Sequence, residues 1–210
     1  MRIRNWGSWL CLLGLAFTLG CGVESDVEVS GTIDADSVET DGADTAAELE
    51  TPEGGSSLAL TPDNTKIQFV GNHTGDDPKP RTCTFQKFSG KLVYADQLEG
   101  VAVDIDVDGL ETEFEKLTTH LKAVDFFDVK RYPKAAFTST SIEAGEGNAV
   151  TIAGELTMLG QTHEISFPAT FDAQSQALSA EFEIDRTKWG MNYDTEKVEP
   201  MVEMSINVGS

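Results

Sequence analysis

The chain has 210 residues, a length that suits one domain with tails, and a formal net charge of −21 at pH 7. That balance argues against nucleic acid as a partner, because a phosphate backbone selects basic faces. The acidity is uneven: no Lys or Arg falls between Cys21 and Lys66, while Asp and Glu recur throughout.

In chain order, residues 1–20 read as a secretory signal. Arg2 and Arg4 make a short basic start, and Trp9 to Leu19 is an apolar run too short to span a bilayer. The following "FTLGC" resembles a bacterial lipobox, with Thr18 where leucine is commonest. On that reading Cys21 is lipidated, becomes the mature N-terminus and holds the protein to a membrane, on its periplasmic or outer-surface side. The alternative is an ordinary cleavage site with an incidental cysteine. Residues 22–57 are acidic, free of aromatics and rich in Gly, Ser, Thr and Ala, so they read as a disordered linker. A tether is what a membrane-anchored domain needs, and several acyl chains on one cysteine suffice for stable anchoring. With Cys11 removed and Cys21 lipidated, Cys83 alone remains. No intramolecular disulfide is then available, and a lone thiol reads as a small buried apolar residue.

From Leu58 onward the pattern changes to period two. Val101, Val103, Ile105 and Val107 alternate with Ala102, Asp104, Asp106 and Asp108. Val150, Ile152, Leu156 and Met158 alternate with Thr151, Ala153, Glu155 and Thr157. Further series are Ile165, Phe167, Ala169 and Phe171, then Leu178, Ala180, Phe182 and Ile184, and finally Val202, Met204, Ile206 and Val208. Each reads as a strand with one apolar and one wet face. Turn signals separate them, "EAGEGN" at 143–148 and "LGQT" at 159–162, so successive strands pair as antiparallel hairpins. Roughly eight such strands predict an all-β fold, a closed up-and-down barrel or a sandwich.

One segment departs from this pattern. Phe114, Leu117, Leu121 and Val124 recur at helical spacing behind Thr112-x-x-Glu115, a capping-box signature, which predicts a helix over 113–124. Pro133 disfavours helix at Tyr132 and restarts the chain as extended structure. Phe126 and Phe127 fall where helix gives way to strand. They are expected to pin that turn against the barrel end, so Leu121, Phe126, Phe127, Tyr132 and Pro133 form a lid with an aromatic hinge.

Catalytic and metal signals are thin. Asp104, Asp106, Asp108, Gly109 and Glu115 satisfy a loose calcium-loop pattern, but a calcium hand needs a helix before the loop and these acids follow a strand. No metal site is therefore assigned. His73, His120 and His163 show no metal-ligand spacing, and His163 beside a hairpin turn is expected to be solvated. No nucleophile elbow or phosphate loop is present. The sequon Asn72-His73-Thr74 is discounted, since a lipobox points to a bacterium.

The segment "HLKAVDFFDVKRYPKAAFTSTSI" at 120–142, followed by "VTIAGELTMLGQTHEISFP" at 150–168, resembles the YceI-like family of polyisoprenoid-binding proteins. The resemblance continues through "KIQFVGNH", "TFQKFSGKL" and "IDRTKWGM" and covers about residues 60–208. It implies an antiparallel, lipocalin-like eight-stranded barrel whose apolar bore holds an extended isoprenoid chain. Two departures stand out: Cys83 occupies a position where the family usually has glycine, and "TGDDPKPR" at 74–81 is polar and proline-bearing. The loop at that barrel end is expected to differ.

An eight-stranded barrel has interior room for packed side chains or for one slim ligand. The inward face carries Phe69, Phe85, Phe137, Phe167, Phe171 and Phe182, with Val103, Ile105, Ile152, Leu156 and Ile184 among the aliphatics. Three functions follow. The favoured one is non-enzymatic binding of an isoprenoid-type lipid, a polyprenyl or quinone chain, with no cofactor otherwise. The second is a structural or adhesive surface lipoprotein whose side chains fill the barrel. The third is an enzyme acting on a barrel-bound lipid, for which Arg186 is the candidate titratable group; otherwise Arg186 contacts a lipid head group or forms a salt bridge. The oligomeric state stays open, a homodimer included.

Overall fold

The computed structural model describes residues 49–74 and 78–209. The signal-like residues, Cys21 and most of the acidic stretch lie outside the described residues.

Strands form where branched and aromatic residues can fill one face of a pleat. The first two are β1 (Ser56–Leu60) and β2 (Thr65–Gly71). Two residues of β1, Ser56 and Ser57, belong by composition to the linker. β3 (Arg81–Phe85), β4 (Phe88–Tyr94), β5 (Leu98–Asp106) and the short β6 (Leu110–Thr112) follow. After the helix α1 (Glu115–Leu121) come β7 (Lys134–Ala144) and β8 (Ala149–Met158). β9 (Gln161–Asp172), β10 (Ala177–Asp185) and β11 (Met201–Val208) complete the fold. All eleven strands share one antiparallel sheet, in the order β1-β4-β5-β7-β8-β9-β10-β11-β2-β3-β6.

Eleven strands replace the expected eight for a local reason. Three long passes of the chain bend at a corner, and each corner splits one strand into two. Asn64 holds the first bend. Its Oδ1 accepts from the Thr61 N–H at 3.0 Å and the Thr65 hydroxyl at 2.9 Å, and its Nδ2 donates to the Ala59 carbonyl at 2.8 Å. The second corner is Gln86-Lys87. The third is a 3-10 turn, Val107–Gly109, where Asp106 Oδ1 accepts from the Asp108 N–H at 3.1 Å. These two corners interlock: Gln86 N–H donates to Gly109 O and Asp106 N–H to Lys87 O, both at 2.9 Å. A Cβ on Gly109 would stand 2.6 Å from the Lys87 Cβ, so a larger residue would push the corners apart.

With each corner pair counted as one pass, the pairing runs from neighbour to neighbour. β1 pairs with β4 and β2 with β3; β4 pairs with β5 and β3 with β6. β5 then pairs with β7, the hairpins continue to β11, and β11 pairs back on β2. The sheet therefore curls around one interior, consistent with a lipocalin-like barrel.

The connections divide into two groups. Tight turns at 95–97, 145–148 and 173–176 sit at one end. At the other, the mouth, lie the long connections 113–133 and 186–200 and the described ends, 72–74 and 78–80, of the β2–β3 connection, with a tight turn at Leu159-Gly160. Both residues of that turn have positive φ, 51° and 70°, the conformation whose twist matches a hairpin.

The helix is shorter than its spacing predicts, seven residues instead of 113–124, and the capping box does not form. Phe114 is the N-cap and no side chain caps the helix, because Thr112 is used elsewhere. The Thr112 N–H donates to Thr118 Oγ1 at 3.0 Å and the two hydroxyls meet at 2.9 Å, which fastens the helix to β6. Of the predicted apolar stripe, Leu121 is buried and Leu117 half-buried, but Phe114 and Val124 are 52% and 74% exposed. His163, expected to be solvated, is only partly so. It is half-buried, with its ring edge-on to Trp189 at 5.2 Å.

Candidate functional site: a narrow bore beneath a wide aromatic mouth

Alternation aims one apolar face of each strand at the interior, as Ile152 (1% exposed) beside exposed Thr151 shows. The interior holds two adjoining spaces. The deeper one, about 80 Å³, is lined by Val103, Ile105, Phe137, Ile152, Leu156, Phe167, Phe182 and Ile184 among others. Those are eight of the eleven residues that sequence parity assigns to the bore. Three rings narrow it. Phe167 and Phe182 stack at 4.1 Å and Phe137 tilts against Phe167 at 5.7 Å. Gly154 makes room for this cluster, since a Cβ there would lie 2.6 Å from Phe137 Cζ and 2.4 Å from the Thr138 carbonyl.

The upper space, about 460 Å³, opens at the mouth. Ile105, Leu156, Ile184 and Met204 line both spaces, so the apolar wall runs unbroken from one to the other. Phe69 and Phe85 belong here rather than to the bore. With Phe127 they form a triangle whose centroids are 5.7 to 6.1 Å apart. A second triangle sits at the rim, where His120, Phe126 and Tyr193 meet at 5.0 to 5.2 Å. The adjacent phenylalanines thus serve different layers: Phe127 faces the cavity wall and Phe126 the rim, and both are buried. His120 is held by Asp125, whose Oδ2 lies 3.1 Å from Nε2.

Four expected positions fall elsewhere. Phe171 is buried but lines neither space; it packs edge-on to Tyr94 at 5.5 Å and plugs the closed end. Tyr132 and Pro133 also stay out of the cavity. Tyr132 lies against the turn glycine Gly160, where a Cβ would meet its ring at 3.0 Å, and the exposed Pro133 offers its carbonyl to the Val107 N–H at 2.9 Å. Leu121, by contrast, lines the mouth with Leu117 and His120 of α1.

Arg186 is the fourth. It borders the mouth and is 4% exposed, and four of its five N–H donors go to backbone. Nε donates to Glu199 O at 3.0 Å, Nη2 to Tyr193 O at 3.0 Å and Val198 O at 2.9 Å, and Nη1 to Met191 O. Its guanidinium lies over the Phe126 ring, 5.7 Å from the centroid. Arg186 is therefore a clamp on connection 186–200. Burial lowers its pKa, with the nearby Asp185 charge opposing that shift. Asp185 caps the turn Arg186–Trp189, accepting from the Thr187 N–H at 3.0 Å and hydroxyl at 2.6 Å. Those bonds, the hydroxyl foremost, hold its carboxyl below the ordinary range.

Sequence reasoning missed Trp189, Met191 and Tyr193. Trp189 is 1% exposed and its indole N–H donates to Leu156 O at 3.0 Å, tying connection 186–200 to β8. The run "KWGMNY" carried their only signal, three large apolar residues in a turn-like segment. Cys83 also faces the mouth. Burial, with Glu113 nearby, pushes its thiol up to about 12, so it stays a neutral apolar lining group.

The acids of the loose calcium pattern are engaged separately. Asp106 caps the corner turn, and Asp108 lies 3.7 Å from both Lys87 and Lys122. Among the described residues no group of three His, Cys, Asp or Glu side chains could hold a metal.

Comparison with known proteins gives the architecture a family. The chain is 31% identical over 94 residues to protein YceI of Escherichia coli O157:H7, covering 43% of this chain and 49% of that one. A Pseudomonas putida relative is 31% identical over 96 residues, 44% of this chain and 50% of its own. The chain spans about half the length of the curated relatives it matches. Among solved structures, Burkholderia cenocepacia BcnA superposes with a TM-score of 0.62 at 22% identity, covering 69% of this chain and 94% of BcnA. A polyisoprenoid binding domain from Saccharophagus degradans gives 0.57 at 14% identity, over 72% and 95% of the two chains. At those identities the likeness is one of fold. The YceI-like domain model itself matches residues 58–209, from β1 through the whole sheet, and the chain belongs to that family.

Proposed function

We propose that this protein binds the apolar chain of an isoprenoid-type lipid, polyprenyl or quinone, without catalysis, as a lipoprotein anchored through Cys21 on the extracytoplasmic side of a membrane. The observation that carries the reading is the mouth cavity of about 460 Å³, within the range of small-molecule sites and sharing four lining residues with an apolar bore. Support comes from the Saccharophagus degradans neighbour, a polyisoprenoid binding domain of the same fold. Each buried methylene contributes about 0.8 kcal/mol. Ten of them approach the roughly 8 kcal/mol of micromolar binding before ordering costs. Binding rather than chemistry is favoured because the deeper space is lined by aliphatic and aromatic side chains plus Thr65, whose hydroxyl is already given to Asn64 at 2.9 Å.

A second reading has its own observation. The stacked Phe167 and Phe182 leave only about 80 Å³ in the bore, which fits a barrel filled by its own side chains in a structural or adhesive surface protein. Titration of delipidated protein with a fluorescent polyprenyl analogue decides between them. Saturable one-to-one binding is expected, and folded protein that binds no analogue would leave the filled barrel as the answer. The anchor has a separate test. Wild type should enter the detergent phase on Triton X-114 partitioning and Cys21→Ser should not; equal partitioning would remove the anchor.

A further inference from the structure

The two ends of the sheet differ in more than the length of their connections. Among the described residues, four large hydrophobic side chains are exposed: Val124 at 74%, Phe114 at 52%, Met201 at 41% and Tyr193 at 37%. Single exposed apolar residues are ordinary on any surface. These four all fall at the mouth end. Phe114 and Val124 flank α1, Tyr193 lies in connection 186–200 and Met201 opens β11. Phe114 carries the Arg81 guanidinium 5.3 Å above its ring, and Arg81 borders the cavity.

Charge divides the ends in the same way. Segments 49–55, 95–97, 145–148 and 173–176 at the closed end hold four acids and no Lys or Arg. The described residues of the mouth connections, 72–74, 78–80, 113–133, 159–160 and 186–200, hold eight Lys or Arg against seven Asp or Glu. In a chain of net charge −21 the mouth is the nearly neutral end. An acidic face is repelled by the negative surface potential of a membrane, and a neutral one is not. Aromatic and aliphatic tips interleaved with Lys and Arg are the composition that settles at a bilayer interface.

We propose that the mouth end docks on a lipid bilayer, with Phe114, Val124, Tyr193 and Met201 entering the interfacial layer, so that lipid moves between membrane and cavity without crossing water. This rests on the lipid-binding reading of the cavity. A bilayer fits better than a protein partner because the cavity opens through the same face, and its ligand would leave water only there. The tether allows the orientation. The described chain begins at Leu49, packed by Gly100 at the closed end, and 27 residues separate it from Cys21. Fully extended they reach about 90 Å. Strands of 9 to 12 residues are about 30–40 Å long, so an anchored domain can turn its mouth to the same membrane.

Flotation with phosphatidylcholine vesicles tests this, using the mature chain from residue 21 carrying Cys21→Ser, so that neither the apolar signal nor an acyl anchor contributes. The protein is expected to float, and the double variant Phe114→Glu, Val124→Glu to float about tenfold less. Both positions are exposed and lie outside the cavity lining, so the variant should keep analogue binding in vesicle-free buffer within about twofold. Failure of the unsubstituted surface to float, or equal flotation of the double variant, overturns the docking. So does a homodimer that the two glutamates split, which would make this face a contact between copies. Analogue binding in buffer separates the two readings. Binding without flotation overturns the docking alone, whereas flotation without binding supports the docking and overturns the lipid carrier.

Discussion

The bore and the mouth are built from the same strands, yet they differ in what closes them. In the bore, side chains from facing strands meet directly, and the stacked Phe167 and Phe182 leave little unfilled. At the mouth the strands end, and the space is enclosed by connections: α1, the Phe126-Phe127 turn and the segment clamped by Arg186. The lower wall is held by the sheet ladder and apolar contact. The upper wall is held by a few hydrogen bonds from buried donors to loop carbonyls, and such bonds have no substitute once a donor is lost. Stability should therefore concentrate below and adaptability above.

The strongest way to break that contrast is to charge the bore. Ile152→Glu places an unpaired carboxylate among aliphatics and should cost about 3–5 kcal/mol, or prevent folding. Thr151→Glu, one residue away on the wet face, should stay within about 0.5 kcal/mol of wild type in urea melts. If Thr151→Glu were the damaging change, the strand faces would be reversed. Arg186→Met tests the mouth. Losing donors to four carbonyls should cost about 2–4 kcal/mol, and amide exchange should accelerate in 190–199 more than in β8 or β9. Arg186→Lys should not restore protection, because one ammonium cannot span carbonyls presented along an arc. Uniform loss of protection across the sheet would show that the clamp is not local.

Those faces were legible in the sequence because a strand's period fixes which side chains share a side. Height along the barrel was not. Phe171 has the same parity as Phe167, yet it plugs the closed end beside Tyr94, while Phe69 and Phe85 rise into the mouth. Parity carries no information on where a strand begins relative to its neighbours. The corners went unread: Asn64 and Asp106 hold their bends through hydrogen bonds to nearby backbone, and their trace in the pattern is a change of parity in the buried face, from Leu60 to Thr65 and Ile67 and from Val107 to Leu110. Arg186 read as a head-group contact because its true partners are loop carbonyls, and any residue can supply those. The aromatic pair at 126–127 was legible as a pin, and only its division between two layers was hidden.

Smaller effects sharpen the contrast. Gly154→Ala would drive a methyl into Phe137 and the Thr138 carbonyl, so a loss of about 1–3 kcal/mol is expected in thermal melts. Little change would mean that the three-ring cluster shifts freely. The Cys83 thiol gives a pH signature. Its pKa is raised from 9.0 to about 12 in the folded protein, so the stabilisation it contributes is whole below pH 9.0 and is lost as pH rises towards 12. Stability measured against Cys83→Ala should therefore fall in that window and stay level from neutral pH to pH 9.0. A flat difference across the alkaline range would place the thiol in water.

The most direct test of the central claim is mass spectrometry of lipid extracted from protein purified without detergent exchange. The account predicts an isoprenoid-type chain at about one per protein, and delipidated protein that stays folded and takes the same lipid back. Folded protein that carries no lipid and rebinds none would contradict it, leaving a barrel closed by its own aromatic side chains.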